Sequence, residues 1–185
     1  MKQTIRIIGG QFRGKKLHFP TVEGLRPTPD RLRETLFNWL MHDIRDAHCL
    51  DAFAGSGALG FEAYSRGAEN VTLLEKDPGV YANLLKITLS FGSTKLTVKK
   101  VDACKFLQET KECFNIVFLD PPFAKNYLPL CLEALANSDV LVKGGLLYLE
   151  SPHEIAVDQE IWQPIKLKKA GQIVYGLYKK REGLA

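Results

Sequence analysis

Asp120-Pro121-Pro122-Phe123 follows the wholly apolar run Ile116-Val117-Phe118-Leu119 and is the sharpest chemical signal in the chain. Proline fixes the backbone and carries no N–H, so the two prolines leave the Asp120 carboxylate and the Pro121 carbonyl as rigid acceptors. Such a pair recognises an N–H donor. Phe123 adds a flat face for a base. Out of context the same tetrapeptide serves equally well as a turn after a strand, so its meaning rests on its neighbours.

Those neighbours are acids that close other strand-like runs. Asp51-Ala52-Phe53-Ala54-Gly55-Ser56-Gly57-Ala58-Leu59-Gly60 ends the first of them. Gly55, Gly57 and Gly60 spell the G-x-G-x-x-G dinucleotide fingerprint, in which backbone approaches a pyrophosphate at a helix N-terminus. Asp51 argues against that ligand, because a carboxylate at the strand's end would face and repel a diphosphate. A ligand with a positive group there fits better. Glu75, in Leu73-Leu74-Glu75-Lys76-Asp77, places a carboxylate over the same crevice, where it can accept from both ribose hydroxyls. Asp102, in Val101-Asp102-Ala103, suits an adenine amino group and can also N-cap the segment that follows. Together these residues indicate an adenosine-containing ligand.

Positioning such residues takes strands and helices in alternation. Strand-like runs at Cys49–Phe53, Val71–Glu75, Leu96–Val101, Asn115–Asp120 and Leu146–Glu150 are separated by helix-length segments near 57–66, 79–91, 103–111 and 127–138. That rhythm predicts a parallel sheet covered on both faces. Ile165–Lys168 and Ile173–Tyr178, joined at Gly171, predict an antiparallel pair at one edge. The front is different. Thr4–Ile8 and Lys15–Phe19, with Gly9, Gly10 and Gly14 between them, predict a hairpin. Arg26-Pro27-Thr28-Pro29 then forces an extended stretch. Leu32, Leu36, Phe37, Leu40 and Ile44 mark the buried stripe of a helix running to about Ile44, capped by Asp30 or Thr28, with Arg31, Arg33 and Arg45 on the opposite face.

The length agrees with one globular domain and a small appendage. Of 185 residues, 45% are hydrophobic and 25% charged, which excludes collagen-like, disordered and disulfide-scaffold chains. No apolar run approaches the ~20 residues of a membrane span, and the start MKQTIRIIGG lacks a signal peptide's apolar stretch, so a cytoplasmic protein is expected. Cys49, Cys104, Cys113 and Cys131 form no C-x-x-C pair and no His clusters with them, so they are read as reduced core thiols. Residues 1–46 hold nine Lys/Arg against five acids, while 47–185 hold sixteen of each. A basic module, 1–46, is thus joined to a neutral body, 47–185. Clustered Lys/Arg attract nucleic acid, although a solvated basic face would look the same.

Residues 48–151, with D-A-F-A-G-S-G, the strand-ending Glu75, Asp102-Ala103 and D-P-P-F in this order, resemble the class I S-adenosylmethionine-dependent methyltransferases that act on exocyclic amines. The front is more specific. Ile7-Ile8-Gly9-Gly10-Gln11-Phe12-Arg13-Gly14-Lys15-Lys16-Leu17, Arg26-Pro27-Thr28 and Arg33-Glu34-Thr35-Leu36-Phe37-Asn38-Trp39-Leu40 resemble the bacterial RsmD family, whose members methylate the N2 of a guanine in small-subunit ribosomal RNA.

The resemblance implies a Rossmann-like α/β fold: a mostly parallel seven-stranded sheet with helices on both faces and an N-terminal hairpin and helix. It implies S-adenosylmethionine as cofactor and no metal. Asp51, Gly55 and Gly57 would surround the methionine part, Glu75 the ribose, and Asp102 with Ala103 the adenine, with Phe53 and Lys76 beside them. Asp120, Pro121, Pro122 and Phe123 would form the catalytic segment. Arg6, Arg13, Lys15, Lys16, Arg26 and Thr28 would meet the RNA, expected in a partly assembled 30S particle, with the protein a monomer. An adenine-N6 methyltransferase of RNA or DNA on the same fold is the alternative. An NAD-dependent oxidoreductase and a non-catalytic RNA-binding module are remoter ones. The tail past Ser151 matches no motif and is expected to add only a sheet edge.

Overall fold

The computed structural model describes residues 2–123 and 125–183. Its elements run β1 (Lys2–Arg6), β2 (Lys16–Pro20), α1 (Asp30–Trp39), β3 (His48–Asp51), α2 (Ala58–Ser65), β4 (Asn70–Glu75), α3 (Pro78–Ser90), β5 (Leu96–Lys100), α4 (Ala103–Glu109), β6 (Phe114–Leu119), α5 (Tyr127–Ala136), β7 (Leu141–Ser151), β8 (Trp162–Ala170) and β9 (Ile173–Lys180). Seven strands form one sheet in the order β5-β4-β3-β6-β7-β9-β8. The five from β3 to β7 pair in parallel, and β9 pairs antiparallel with both β7 and β8. The chain order reverses between β3 and β6, the switch point at which such sheets open a crevice at their carboxyl ends.

Two cores sandwich the sheet because side chains alternate along each strand. Ile116 and Phe118 face one side, with Leu36 and Phe37 of α1, Phe61 of α2 and Leu84 of α3. Val117 and Leu119 face the other, with Phe106 of α4 and Leu135 of α5. The β1–β2 hairpin joins the first core through Ile5, Ile7, Leu17 and Phe19, so its outer face carries Thr4, Arg6, Lys16 and His18. Lys180 in β9 is buried and donates its Nζ to the carbonyls of Leu135, Ser138 and Leu141 at 2.7, 2.6 and 3.1 Å. It thereby places a cation at the C-terminal end of α5, where the free carbonyls lie.

The hairpin is fastened to α2 by a buried acid. Glu62 accepts the N–H groups of Ile8 and Gly9 at 3.0 and 2.9 Å and meets Arg33 and Arg66 at 3.4 and 2.8 Å. Ser65 adds a second fastening, accepting from Phe12 N–H and donating to the Gly9 carbonyl. Gly10 has φ +77°, and a Cβ there would lie 1.9 Å from the Ser65 carbonyl oxygen, so the close approach demands glycine.

Five expectations about the elements need correction. α1 ends at Trp39, and the buried Ile44 belongs to a following turn in which both Asp43 and Ile44 donate to the Leu40 carbonyl. Neither Asp30 nor Thr28 caps α1; Pro29 occupies the cap position, Asp30 bonds Arg33 at 2.5 Å, and Thr28 turns into the crevice. Arg33 is not on an exposed face but 1% exposed, because Glu62 lies beneath it. Cys113 is exposed, whereas Cys49 and Cys131 are core thiols. Strand β7 also begins five residues earlier than its apolar run, because pairing with β6 slips across an irregularity that contains Gly144 and Gly145.

Candidate functional site

A cleft of about 630 Å³ opens over the switch point, at the carboxyl ends of β3 to β7, within the size range of cofactor sites. Of the residues expected to hold a cofactor, Asp51, Phe53, Gly55, Glu75, Lys76, Asp102 and Ala103 line it. Gly57 does not. It precedes α2 with φ +80°, and a Cβ on it would strike the Phe61 ring at 2.2 Å, so it serves the turn and the packing beneath. Gly60 likewise lies against Leu73 and Asp51, which makes the G-x-G-x-x-G spelling here a matter of helix–strand packing.

Each acid is already partly engaged. Asp51 is 2% exposed and accepts Gly60 N–H at 2.9 Å. Burial, with Glu75 nearby and the Gly60 bond opposing, pushes its carboxyl up to about 7. Glu75 accepts Gly55 N–H at 3.2 Å with one oxygen and Asp77 N–H at 2.8 Å with the other, which tightens the loop and still leaves lone pairs for hydroxyl donors. Asp102 caps α4 by accepting Lys105 N–H, as expected of it. Lys76 donates to the Tyr127 hydroxyl at 2.7 Å and lies 3.7 Å from Asp102; the Tyr127 bond chiefly holds its ammonium above the usual range. Phe53 packs on Tyr127 with ring centroids 5.5 Å apart, forming an aromatic wall. The donor and acceptor set fits a sulfonium-bearing nucleoside: carboxylates at three strand ends, aromatic and apolar walls, and a glycine turn close to the cleft.

Asp120, Pro121, Pro122 and Phe123 form the next wall, and Phe123 is 47% exposed at its rim. Asp120 accepts from the Thr28 hydroxyl at 3.3 Å. Burial, then the charges of Glu150 and Asp51, raise its carboxyl well above the ordinary range. Beneath it lies a residue the sequence reading passed over. Glu150, the last residue but one of β7, is 4% exposed and meets the Thr28 hydroxyl at 3.5 Å and the Tyr148 hydroxyl at 2.7 Å. The available signal was an acid closing the run Leu146-Leu147-Tyr148-Leu149, the same pattern that singled out Asp51, Glu75, Asp102 and Asp120.

The residues expected to meet RNA are divided. Arg6, Arg13 and Lys16 are exposed around the hairpin, and Arg26 is exposed on the cleft wall. Lys15 is half-buried over the Phe91 ring, 4.7 Å from its centroid. Thr28 is buried in the cleft, bonded to the acids rather than presented outward. The tail contributes more than an edge, since Ile173 at the start of β9 reaches the cleft.

Residues 5–179 match the family model described as Conserved hypothetical protein 95. Ribosomal RNA small subunit methyltransferase D of Escherichia coli K12 is 46% identical over 178 residues, covering 95% of this chain and 90% of that protein. Its counterpart in Haemophilus influenzae is 44% identical over 183 residues, covering 96% and 94%. Among solved structures, the Escherichia coli protein yhhF superposes with a TM-score of 0.88 at 46% identity over 97% of this chain and 99% of its own. Similarity that runs through hairpin, cleft and tail alike places the chain in the RsmD family.

Proposed function

We propose that the cleft transfers a methyl group from S-adenosylmethionine to the exocyclic N2 amine of a guanine in small-subunit ribosomal RNA, presented in a partly assembled 30S particle. The observation that carries this reading is the shared cleft: the Asp120-Pro121-Pro122-Phe123 wall stands in the same crevice as the nucleoside-binding set Asp51, Glu75 and Asp102. The name shared by the Escherichia coli and Haemophilus influenzae relatives supplies the RNA substrate class.

Asp51, Phe53, Gly55, Glu75, Lys76, Asp102 and Ala103 would hold the cofactor, with Gly57 shaping the turn. When bound, S-adenosylmethionine supplies an electrophilic methyl on a sulfonium. The protein's task is then alignment, and proximity accounts for much of such rates. The guanine amine is a weak nucleophile because its lone pair is delocalised into the ring. Asp120 and the Pro121 carbonyl accept its two N–H bonds, draw the nitrogen toward tetrahedral geometry and stabilise the positive charge that develops on it. Phe123 stacks on the base once it has left its helix or loop stack.

In this reading residues 1–46 form a basic appendage on the body 47–185, with Arg6, Arg13, Lys16 and Arg26 holding flanking phosphates without reading sequence. Specificity then comes from the shape of the particle, and the protein acts as a cytoplasmic monomer. Among the described residues no helix is long and apolar enough to cross a membrane. The test incubates the protein and Asp120→Ala with methyl-labelled S-adenosylmethionine and naked small-subunit rRNA, the reassembled particle or duplex DNA, then identifies the labelled nucleoside. N2-methylguanosine from the particle, dependent on Asp120, is expected. Label in N6-methyladenosine would overturn the target, and equal labelling of naked rRNA would overturn the role of the particle.

A further inference from the structure

Asp120, immediately past β6, and Glu150, in the adjacent parallel strand β7, have a single hydroxyl, that of Thr28, between them. Thr28 Oγ1 lies 3.3 Å from Asp120 and 3.5 Å from Glu150, yet it has one proton and can donate to only one carboxyl at a time. The Tyr148 hydroxyl, 2.7 Å from Glu150, supplies a second donor. Among the described residues no lysine, arginine or histidine forms an ion pair with either acid. The other groups around them are Asp51, a third acid on β3; Tyr175 of β9; Arg26, exposed on the cleft wall; and Arg33 of α1, whose Nε is spent on the Thr28 carbonyl. Two adjacent carboxylates in a buried site without a cation cannot both stay ionised.

We propose that Glu150 is a positioning residue that shares one proton with Asp120, so that the pair carries a single negative charge, drawn onto Asp120 when the amine enters. The proposal rests on the methyl-transfer reading of the cleft. Before transfer the proton sits on Glu150 and the charge on Asp120, which faces the amine. As the nitrogen lone pair forms its bond to the methyl carbon, the carbon–sulfur electron pair stays on sulfur and the nitrogen becomes cationic. Its proton then passes to Asp120, leaving a neutral amine and a neutral pair. Release of one proton to water restores the single charge. Burial raises both carboxyls above their ordinary range; the charge of Glu150 pushes Asp120 further up, while hydrogen bonds from Tyr148, Asp120 and Thr28 hold Glu150 back, as expected where one proton is shared.

The first arm of the test uses carboxyl carbon-13 NMR on the free protein, without cofactor or RNA. Asp120 and Glu150 are expected to titrate together in two steps, the upper one above the usual carboxylate range, and distinctly from Asp51. Glu150→Gln keeps the shape and mimics the protonated partner; it should leave Asp120 titrating once, at least about one pH unit below the parent's upper step. Tyr148→Phe removes a donor to the ionised pair and should move the upper step upward by about one pH unit. Independent single titrations, or an Asp120 curve unchanged in Glu150→Gln, overturn the proposal. The second arm follows methyl transfer to the small-subunit particle against pH. Parent kcat should fall once the upper step is passed, whereas Glu150→Gln should stay within about tenfold of the parent's maximum and lack that fall. Superimposable profiles would overturn the positioning role. Absence of transfer by the parent, with two-step titration intact, would instead count against the methyl-transfer reading and leave the proton-sharing pair standing.

Discussion

Replacing Asp51 by Asn should make the protein more stable at alkaline pH while weakening its cofactor binding. Burial lifts the Asp51 carboxyl from 3.8 to about 7 in the folded protein. The folded form therefore holds this proton more tightly than the unfolded chain does. Stability from this group is fully present below 3.8, erodes as the pH rises from there to about 7, and is gone above it. At 1.36 kcal/mol for each tenfold change in proton affinity, the loss is about 4 kcal/mol. Asp51 is 2% exposed, so solvent screens little of it. Asn cannot ionise, and its amide oxygen can still accept the Gly60 N–H that Asp51 accepts at 2.9 Å. The carboxyl's value of about 7 already includes the Gly60 bond to the ionised form, so a variant that matches the protonated parent at low pH leads it by about 4 kcal/mol at pH 8. With a urea slope of ~2 kcal/mol/M, its unfolding midpoint should lie about 2 M above the parent's at pH 8 and converge with it near pH 4. A variant less stable than the parent at pH 8, or a difference independent of pH, would refute the assignment of the cost to a buried charge. Calorimetry at pH 8 should show its affinity for S-adenosylmethionine reduced, since in the proposed function the ionised carboxyl partners the ligand's positive group.

Other consequences are direct. Arg33→Met should lower stability by about 3 kcal/mol or more in chemical denaturation, because it leaves Glu62 short of a cation in an apolar wall. Replacing Arg13 and Lys16 together by Ala should weaken binding to the ribosomal particle and reduce the magnitude of its salt slope by about 2, read by filter binding across a salt series. Lys15→Ala should mainly lower the melting temperature through its contact with Phe91, a cation–π contact of about 0.5–1 kcal/mol. Phe123→Ala should lower kcat/KM for RNA by about tenfold or more with cofactor affinity unchanged by calorimetry, as expected of an exposed base-stacking face worth ~1–3 kcal/mol.

Strands β3, β4 and β6 were legible because a strand buried on both faces has to be a short, continuous apolar run, and the acids ending them stood out against it. Asp51, Glu75 and Asp120 were found this way. Glu150 carried the same mark and was missed because no loop motif follows it; its importance comes from Thr28, 122 residues earlier, being folded against it. Arg33 was misread for a related reason. Helical periodicity assigns a face from residues within α1 alone, whereas its burial is set by Glu62, 29 residues further along. Gly57 was assigned to the ligand because spelling does not say which way a turn faces; the Phe61 and Leu84 side chains decide that. Local pattern thus located the backbone frame, while pairings across the crevice decided which polar groups face one another.

The fastening at Glu62 bears on how this protein can be cut and recombined. A fragment beginning at residue 47 would remove Arg33 and the Ile8 and Gly9 N–H groups from a carboxylate that is 0% exposed, leaving only Arg66 beside it. It would also bare the aromatic surface of Tyr64 and Phe91 against which Phe12 packs. The front is therefore not a cassette that can be exchanged for a foreign piece at a linker. A graft would have to carry the two amides, the arginine and the glycine that lets backbone touch Ser65. For chimeras that retarget the enzyme, the joint lies inside the core.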